Sequence, residues 1–180
     1  HLAKQLEIII SIHKLYEKAI RPTKYDDLTQ AFSRRYQKEL LRQAYDVAKK
    51  NQEPLTICTV DINMFKEIND RYGHEIGDEC LLYFAESVRA NPFENMIFSR
   101  VGGDEFSFVF PQTDCVLASE YIAKLRQYLE THPFIVDQQS VQVAFGCGIA
   151  VFPDDGENLN ELIRLSDARM YADKTAMKQK

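Results

Sequence analysis

The 180-residue sequence lacks the features of several common protein classes. No apolar run approaches the roughly 20 residues that a membrane-spanning helix needs, and no signal-peptide pattern is present. There is no low-complexity tract, and 45% of the residues are hydrophobic, so the chain is long enough for one globular domain with a buried core. We therefore expect a soluble segment that makes no membrane contact itself, whether or not an anchor precedes it.

Positive charge and paired cysteines are lacking as well. The formal net charge is -5, which argues against a nucleic-acid binder, because such proteins neutralise phosphates with a cationic surface. The cysteines form no CxxC pair and have no histidine at metal-ligand spacing. We expect them to be small buried side chains in a reducing cytosol. They are Cys58, Cys80, Cys115 and Cys147.

An amphipathic helix is predicted at the start, from Leu2 to Ile20, with apolar residues at 4-3-4 spacing and an end at Pro22. Its few repeats fit a helix packed on its own domain and also a dimerising, signal-carrying helix. We favour the second because the helix precedes the domain. This divides the chain into a signalling helix and linker, residues 1–24, and a second domain, residues 25–180.

Within residues 25–180, hydrophobic periodicity predicts the order helix, strand, helix, hairpin, helix, strands, helix. Such an order is typical of an α/β (α+β) sandwich with a mixed sheet. Gly146 and Gly148 indicate close backbone packing or a bulge in the last strand. The predicted elements are a helix with Tyr36, Leu40, Ala44 and Val47 on its apolar face, strand Leu55–Val60, a helix from Ile76 to Val88, strands Met96–Arg100 and Glu105–Phe110, a helix from Ala118 to Leu129, strands Phe134–Val136 and Val141–Phe152, and a helix from Leu159.

Two glycines and two acidic residues, 102–105, interrupt an apolar run from Met96 to Phe110. Strands avoid these residue types, and glycine serves where something must approach the backbone closely. Local evidence favours a hairpin turn with solvated carboxylates. The alternative is a phosphate or metal site on a tight turn.

Asp61 follows a buried strand, and Asp104 with Glu105 lies in the hairpin turn, so all three can reach one edge of the sheet. Clustered carboxylates repel one another and typically hold a divalent cation, and oxygen ligands favour Mg²⁺ or Mn²⁺ over zinc. Such a set can clamp the attacking and leaving oxygens of a nucleotidyl transfer. Because no GxxxxGK[ST] loop is present, metal, backbone amides and a few cations must hold any triphosphate. Taken alone, these carboxylates also fit solvated strand caps.

The segment from Asp61 to Asp78 carries more polar residues than a packing helix needs. Asn69 and Asp78 are of the types that read purine edges, and guanine offers a donor pair at N1 and N2. On local evidence alone, helix capping is the more common role for both.

Five motifs in order resemble those of a GGDEF-family diguanylate cyclase domain, over residues 26 to 178. The resemblance implies a palm-like fold, with a central mixed, mostly antiparallel sheet flanked by helices. The motifs are Asp26–Thr29 with Arg34 and Arg35, the block Asp61–Asp70, Gly73 and His74 with Gly77 and Asp78, the signature turn Gly102–Phe106, and the segment Ser166–Lys174.

The resemblance implies condensation of two GTP molecules into cyclic di-GMP with loss of pyrophosphate. Each of two facing domains in a homodimer would hold one GTP, and each 3′-hydroxyl would attack the other α-phosphate. It also implies Mg²⁺ or Mn²⁺, a cytoplasmic place in bacterial signalling, and an upstream sensory domain. The alternative is a non-catalytic domain that binds GTP or cyclic di-GMP and signals through a partner, but such domains usually lose an acidic residue, and Asp61, Asp104 and Glu105 are retained.

By position, the resemblance assigns metal binding to Asp61, Asp104 and the carbonyl of Ile62. Glu105 matches the fourth signature residue, which implies metal binding or deprotonation of the hydroxyl. Asn69 and Asp78 match the guanine-reading pair.

Phosphate contacts are implied for two backbone amides and two lysines. Gly102 and Gly103 are expected to let GTP lie close to the backbone. Arg in place of Lys178 would have allowed bidentate contact. The phosphate-binding residues are Met64, Phe65, Lys174 and Lys178.

The sequence departs from the family pattern at three places. Gln30 and Ala31 stand where Gly-Leu is usual, a change that should alter the turn into the next helix and leave the metal site untouched. Asn63 stands where a second Asp is common, and we expect this to be tolerated because Asp61 is the expected ligand. Phe93 and Met96 stand where the RxxD product-inhibition motif has its Arg and Asp. We therefore expect no feedback by cyclic di-GMP at that place.

Overall fold

The structure, a computed structural model, describes residues 4–11 and 24–177. Residues 4–11 are helical, within the predicted N-terminal helix, and expose Leu6, Ile8 and Ile9 to solvent. The rest of that predicted helix and Lys178 lie outside the described residues, and the division at residue 24 stays a prediction. Within the two described ranges, we find no helix with the length and apolarity that a bilayer crossing requires.

Five helices and seven strands follow in the range 24–177. The helices are α1 (Arg34–Asn51), α2 (Phe65–Tyr72), α3 (His74–Ala90), α4 (Cys115–Thr131) and α5 (Leu159–Met177). The strands are β1 (Phe32–Ser33), β2 (Leu55–Ile62), β3 (Ile97–Arg100), β4 (Glu105–Pro111), β5 (Phe134–Val136), β6 (Gln139–Val141) and β7 (Phe145–Phe152).

A five-stranded sheet in the order β1-β3-β4-β2-β7 forms the centre of the domain. Only β1 and β3 pair in parallel, and the other pairs are antiparallel. Strands β5 and β6 form a separate two-stranded ribbon. The predicted α+β fold with a mixed, mostly antiparallel sheet is confirmed, as is the hairpin of β3 and β4.

Side chains alternate between the two faces along β2 and β4, so each face carries apolar residues. Helices cover both faces. On one face, Phe84 of α3 and Leu125 of α4 lie in a core with Phe106 and Phe108 of β4. On the other face, α1 and α5 pack over a second core. That core includes Leu41, Ile57, Val109 and Leu162. The central strand β2 is therefore buried on both sides, as its apolar run predicts.

Helix α5 packs directly on β7 where Gly148 lies. A Cβ atom at Gly148 would stand 1.9 Å from the backbone oxygen of Ser166. The glycine thus permits the close backbone packing that was predicted for this strand.

Three predictions about elements were wrong. The short helix α2 was not predicted, because its eight residues give too little periodicity for detection. The predicted strand 141–152 is two strands, since β6 pairs with β5 while β7 pairs with β2. The buried face of α1 is offset by one residue from the predicted one: Leu41 and Tyr45 are buried, whereas Val47 is 53% exposed.

The prediction for the cysteines holds for two of the four. Cys58 and Cys80 are buried, but Cys115 is exposed and Cys147 is partly exposed. Cys115 is the first residue of α4, directly after the N-cap Asp114, and apolar periodicity does not reach it.

Candidate active site

The end of β2 and the signature turn meet at one edge of the sheet. Asp61 pairs with Glu105 in the register of β2 and β4. One residue further on, the Ile62 N–H donates to the carbonyl oxygen of Asp104 at 3.1 Å. The structure thus brings the backbone positions of these three acidic residues together at one edge, as the sequence predicts.

The electrostatics at this edge are those of neighbouring carboxylates beside cations. Burial, and then the negative charge of Asp61, raise the pKa of Asp104, while Lys174 and Arg100 act in the opposite direction. The Lys174 ammonium donates a hydrogen bond to Oδ1 of Asp61, and both side chains are largely buried. The edge is therefore a place that attracts positive charge.

The donors present fit Mg²⁺ or Mn²⁺, because they are all oxygens and because the ammonium of Lys174 already lies against one carboxylate. Across the described part of the chain, no group of three His, Cys, Asp or Glu side chains is placed to hold a metal ion. Metal binding by Asp61, Ile62, Asp104 and Glu105 accordingly stays a prediction.

Gly102 and Gly103 have different surroundings in the signature turn. The Val101 and Gly102 N–H groups donate to the Glu105 carbonyl at 2.9 and 3.3 Å, which closes the turn. A Cβ atom at Gly102 would lie 2.7 Å from Oε2 of Glu105, whereas one at Gly103 would meet no atom of the described residues within 4 Å. Gly102 therefore makes room for the Glu105 side chain, and Gly103 leaves backbone open to a ligand.

Asn69 and Asp78 are brought to neighbouring places by the α2–α3 corner. Gly73, with φ +89°, separates the two helices. A Cβ atom at Gly77 would stand only 1.9 Å from Oδ1 of Asn69, so the amide lies against the first turn of α3, at the residue before Asp78. Neither residue is an N-cap, since Met64 and Gly73 hold those positions.

Met64 and Phe65 form the entrance to α2. Met64 adopts a left-handed conformation, φ 57°, and its side chain is 61% exposed. Among residues 4–11 and 24–177, no side chain caps the helix at this end, which leaves amides of its first turn available for a phosphate.

The residues in place of the product-inhibition motif belong to the core. The Phe93 ring packs edge-on against Phe110 and Tyr121, with centroid separations of 5.1 and 5.6 Å. Met96 packs against the same core.

Two salt bridges that hold the site were not predicted. Arg100 forms the first with Asp26, Nη1 to Oδ1 at 3.1 Å, and also donates hydrogen bonds to the carbonyl of Gly103 from Nε and Nη2. Asp173, the residue before Lys174, accepts from Arg126 at 2.6 Å. No sequence signal reveals them, because each arginine and its partner carboxylate belong to distant elements.

Comparison with known protein families gives one match that covers most of the chain. The family described as "Diguanylate cyclase, GGDEF domain" matches residues 23–180. Among curated proteins, a diguanylate cyclase of Vibrio cholerae is 31% identical over 163 residues, which cover 91% of this chain and 50% of that protein. The bifunctional diguanylate cyclase/cyclic di-GMP phosphodiesterase MucR of Pseudomonas aeruginosa is 30% identical over 173 residues, 94% of this chain and 24% of that protein. This chain thus spans half or less of the length of these two relatives.

Solved structures show the same fold. The GGDEF domain of TpbB (YfiN) from Pseudomonas aeruginosa is 29% identical, with a TM-score of 0.79, and covers 84% of this chain and 89% of that one. A sensory box/GGDEF family protein from Caulobacter crescentus is also 29% identical, with a TM-score of 0.76, over 85% of this chain and 99% of that one.

Proposed function

Because the chain belongs to the GGDEF family of diguanylate cyclase domains, we propose that it condenses two GTP molecules into cyclic di-GMP and releases two pyrophosphates. The observation that carries the proposal is the meeting of Asp61 with Asp104 and Glu105 at one sheet edge. Phosphoryl chemistry depends mainly on positioning and charge neutralisation, and such an edge is suited to both.

We assign the divalent cation, Mg²⁺ or Mn²⁺, to Asp61, Asp104, Glu105 and the carbonyl of Ile62. When bound there, the cation neutralises phosphate charge and polarises the α-phosphate. The raised pKa of Asp104 supports the assignment, since it reflects burial together with a second nearby carboxylate.

The α2–α3 corner supplies the guanine site. Asp78 accepts from guanine N–H groups, and the Asn69 amide offers both a donor and an acceptor. Their adjacency across Gly77 supports a pair that reads one base. The amides of Met64 and Phe65 and the ammonium of Lys174 then hold the phosphates, together with Lys178.

Each domain carries one such set, so the reaction needs two copies of the chain. The 3′-hydroxyl oxygen of the GTP on the facing domain attacks the α-phosphorus, the bond from that phosphorus to the bridging α–β oxygen breaks, and pyrophosphate leaves. Glu105, which is exposed at the turn, takes the hydroxyl proton. The same step with the roles of the two nucleotides exchanged releases the second pyrophosphate and closes the ring.

Dimerisation and regulation are assigned to the N-terminal helix. Leu6, Ile8 and Ile9 are 58%, 53% and 63% exposed, which leaves apolar surface for a second copy of the helix. An upstream sensory domain would act by changing how two such helices meet.

Feedback by cyclic di-GMP at the family's product-inhibition position is absent under this proposal. Phe93 and Met96 offer no charged or hydrogen-bonding group to a guanine or a phosphate. The contacts of Phe93 with Phe110 and Tyr121 support a packing role instead.

The test is to incubate the purified chain with GTP and Mg²⁺ and to measure cyclic di-GMP and pyrophosphate. Product should form at a rate that rises with the square of protein concentration while dimers are scarce, and Asp104→Ala should abolish it. Binding of GTP or cyclic di-GMP without any product at high protein concentration would instead establish a binding module.

A further inference from the structure

Asp61 and Lys174 form an ion pair inside the candidate active site. The ammonium of Lys174 lies against Oδ1 of Asp61, and the two side chains are only 21% and 14% exposed. This carboxylate is the one assigned above to the divalent cation. The same carboxylate group is therefore assigned to two positive groups.

The path of the Lys174 side chain is determined by the sheet beneath it. Asp61 of β2 pairs with Gly146 of β7. A Cβ atom at Gly146 would stand 2.2 Å from Cγ of Lys174. The lysine stem thus crosses β7 at the residue opposite Asp61, and only glycine leaves it room to do so.

The helix that carries Lys174 is also held at this level. Oδ2 of Asp173 accepts from Nη2 of Arg126 at 2.6 Å and from the backbone N–H of Cys147 at 2.8 Å. Asp173 thereby ties α5 to both α4 and β7. Lys174, the next residue, is presented to Asp61 by a helix with little freedom to shift.

An ammonium and a divalent cation on one largely buried carboxylate repel each other strongly, because little water screens them there. For the metal to enter, Lys174 must leave Asp61. A departing ammonium in a half-buried site needs another anion. Under the proposed function, the phosphates of a bound nucleotide would supply that anion to Lys174.

We propose that Lys174 is a built-in counterion of the metal site, which exchanges Asp61 for a nucleotide phosphate when the divalent cation binds. Metal alone then binds weakly, and metal and nucleotide strengthen each other by the same factor, as linkage requires. This inference rests on the proposed function, because it uses the metal and phosphate assignments made there.

The experiment is a titration of Mn²⁺ alone, followed by electron paramagnetic resonance of the free ion, on the wild type and on Lys174→Met. Methionine keeps much of the stem and removes the charge. Lys174→Met should bind Mn²⁺ about tenfold more tightly than the wild type, within the usual range of coupling between sites. With 3′-deoxy-GTP present, which cannot condense, the order should reverse, because the variant has lost a phosphate contact.

Two further proteins make the result specific. Lys124→Met removes the same charge from an exposed position of α4 beside Phe93 and Tyr121, and its Mn²⁺ affinity should equal that of the wild type. Gly146→Ala retains the charge but displaces the stem, so it should also tighten Mn²⁺ binding. It serves as the second variant if Lys174→Met does not fold, which circular dichroism reports.

Equal or weaker Mn²⁺ binding by Lys174→Met and Gly146→Ala, compared with the wild type, would overturn the inference. The titration contains no substrate, so its outcome is separate from that of the cyclase assay. Tighter binding in a chain that makes no cyclic di-GMP would retain the counterion role and remove the catalytic proposal. Product formation together with unchanged Mn²⁺ affinity in the variants would support the catalytic proposal and overturn the counterion role.

Discussion

Arg100 and Asp26 form a salt bridge that ties the segment before α1 to the signature turn. Nη1 of Arg100 lies 3.1 Å from Oδ1 of Asp26, while Nε and Nη2 hold the carbonyl of Gly103. Asp26 is in turn fixed by the backbone N–H and the hydroxyl of Thr29, at 2.8 and 2.7 Å. Burial acts to raise the pKa of Asp26, but the hydrogen bonds from Thr29 and Arg100 outweigh it and leave that pKa below its usual value. The turn that carries Asp104 is therefore held by the chain that enters the domain.

Arg100→Lys should loosen the signature turn without removing the charge. Lysine has no planar fork and cannot bridge Asp26 and Gly103 as arginine does. We expect a loss of about 1–3 kcal/mol in the free energy of unfolding, measured with urea. We also expect kcat to fall by a larger factor than KM for GTP rises, because the turn positions the catalytic carboxylates, whereas guanine binding is assigned to the α2–α3 corner.

The control for that variant is Arg169→Lys. Arg169 makes a two-pronged salt bridge to Asp155 at 2.6 and 2.8 Å, between α5 and the loop after β7. This variant should lose similar stability while kcat stays near the wild-type value. A matching fall of kcat in both variants would show that Arg100 acts only through general stability.

Gly77→Ala should weaken GTP binding without removing any hydrogen-bonding group. The new Cβ atom would stand 1.9 Å from Oδ1 of Asn69 and would force that short side chain to rotate away. Loss of one hydrogen bond to guanine should raise KM for GTP about tenfold in steady-state assays. The helix should tolerate the change, since alanine favours helix over glycine by about 1 kcal/mol.

The double variant tests whether Gly77 acts through Asn69. Asn69→Ala alone should raise KM by a similar factor, and addition of Gly77→Ala should raise it little further, because both changes remove the same contact. A wild-type KM in Gly77→Ala would contradict the assignment of Asn69 to the base.

Asp104→Asn should stabilise the fold at neutral pH while abolishing synthesis. Burial and the charge of Asp61 raise the pKa of Asp104, so the folded protein holds this proton more tightly than the unfolded chain does. Stability therefore falls as pH rises from the usual carboxyl range through the raised pKa. The melting temperature of Asp104→Asn should exceed that of the wild type at pH 7, where kcat drops about 10²-fold or more.

The stability difference should vanish near pH 3, about one unit below the usual carboxyl pKa, where the carboxyl group of the wild type is protonated in both states. Glu94→Gln, an exposed carboxylate before β3, provides the matched control and should show little difference at either pH. A lower melting temperature for Asp104→Asn at pH 7 would show that its cationic neighbours outweigh burial and the Asp61 charge.

Added cyclic di-GMP should not inhibit the initial rate by binding at the product-inhibition position, which Phe93 and Met96 occupy here. The rate of Phe93→Ala should be equally insensitive to cyclic di-GMP. Its free energy of unfolding in urea should fall by about 1–3 kcal/mol, because the variant loses the edge-on contacts of a partly buried ring with Phe110 and Tyr121. If inhibition is seen in the wild type and relieved in Phe93→Ala, the ring contributes to a product site after all.

Much of the fold was predictable from local pattern. The β-branched, apolar run at Leu55 predicts a strand buried on both faces, and the break at Gly102 predicts a hairpin, because these signals depend only on near neighbours. The short helix α2 was missed because eight residues give too little periodicity. The gap between β6 and β7 was missed because pairing with different strands decides it. The offset of α1 has the same origin: the sheet beneath the helix selects Leu41 over Leu40.

The sequence by itself determined which chemical groups are available, and the motif order predicts Asp61, Asn69, Asp78 and Asp104 as members of the site. Only the tertiary structure decided which groups meet. Lys174 reaches Asp61 from 113 residues away, and Arg100 reaches Asp26 across 74. Helical and strand periods carry no information over such separations. These contacts arise because the sheet sets β2 beside β4 and β7, and because glycines at 77 and 146 leave room for side chains from other elements.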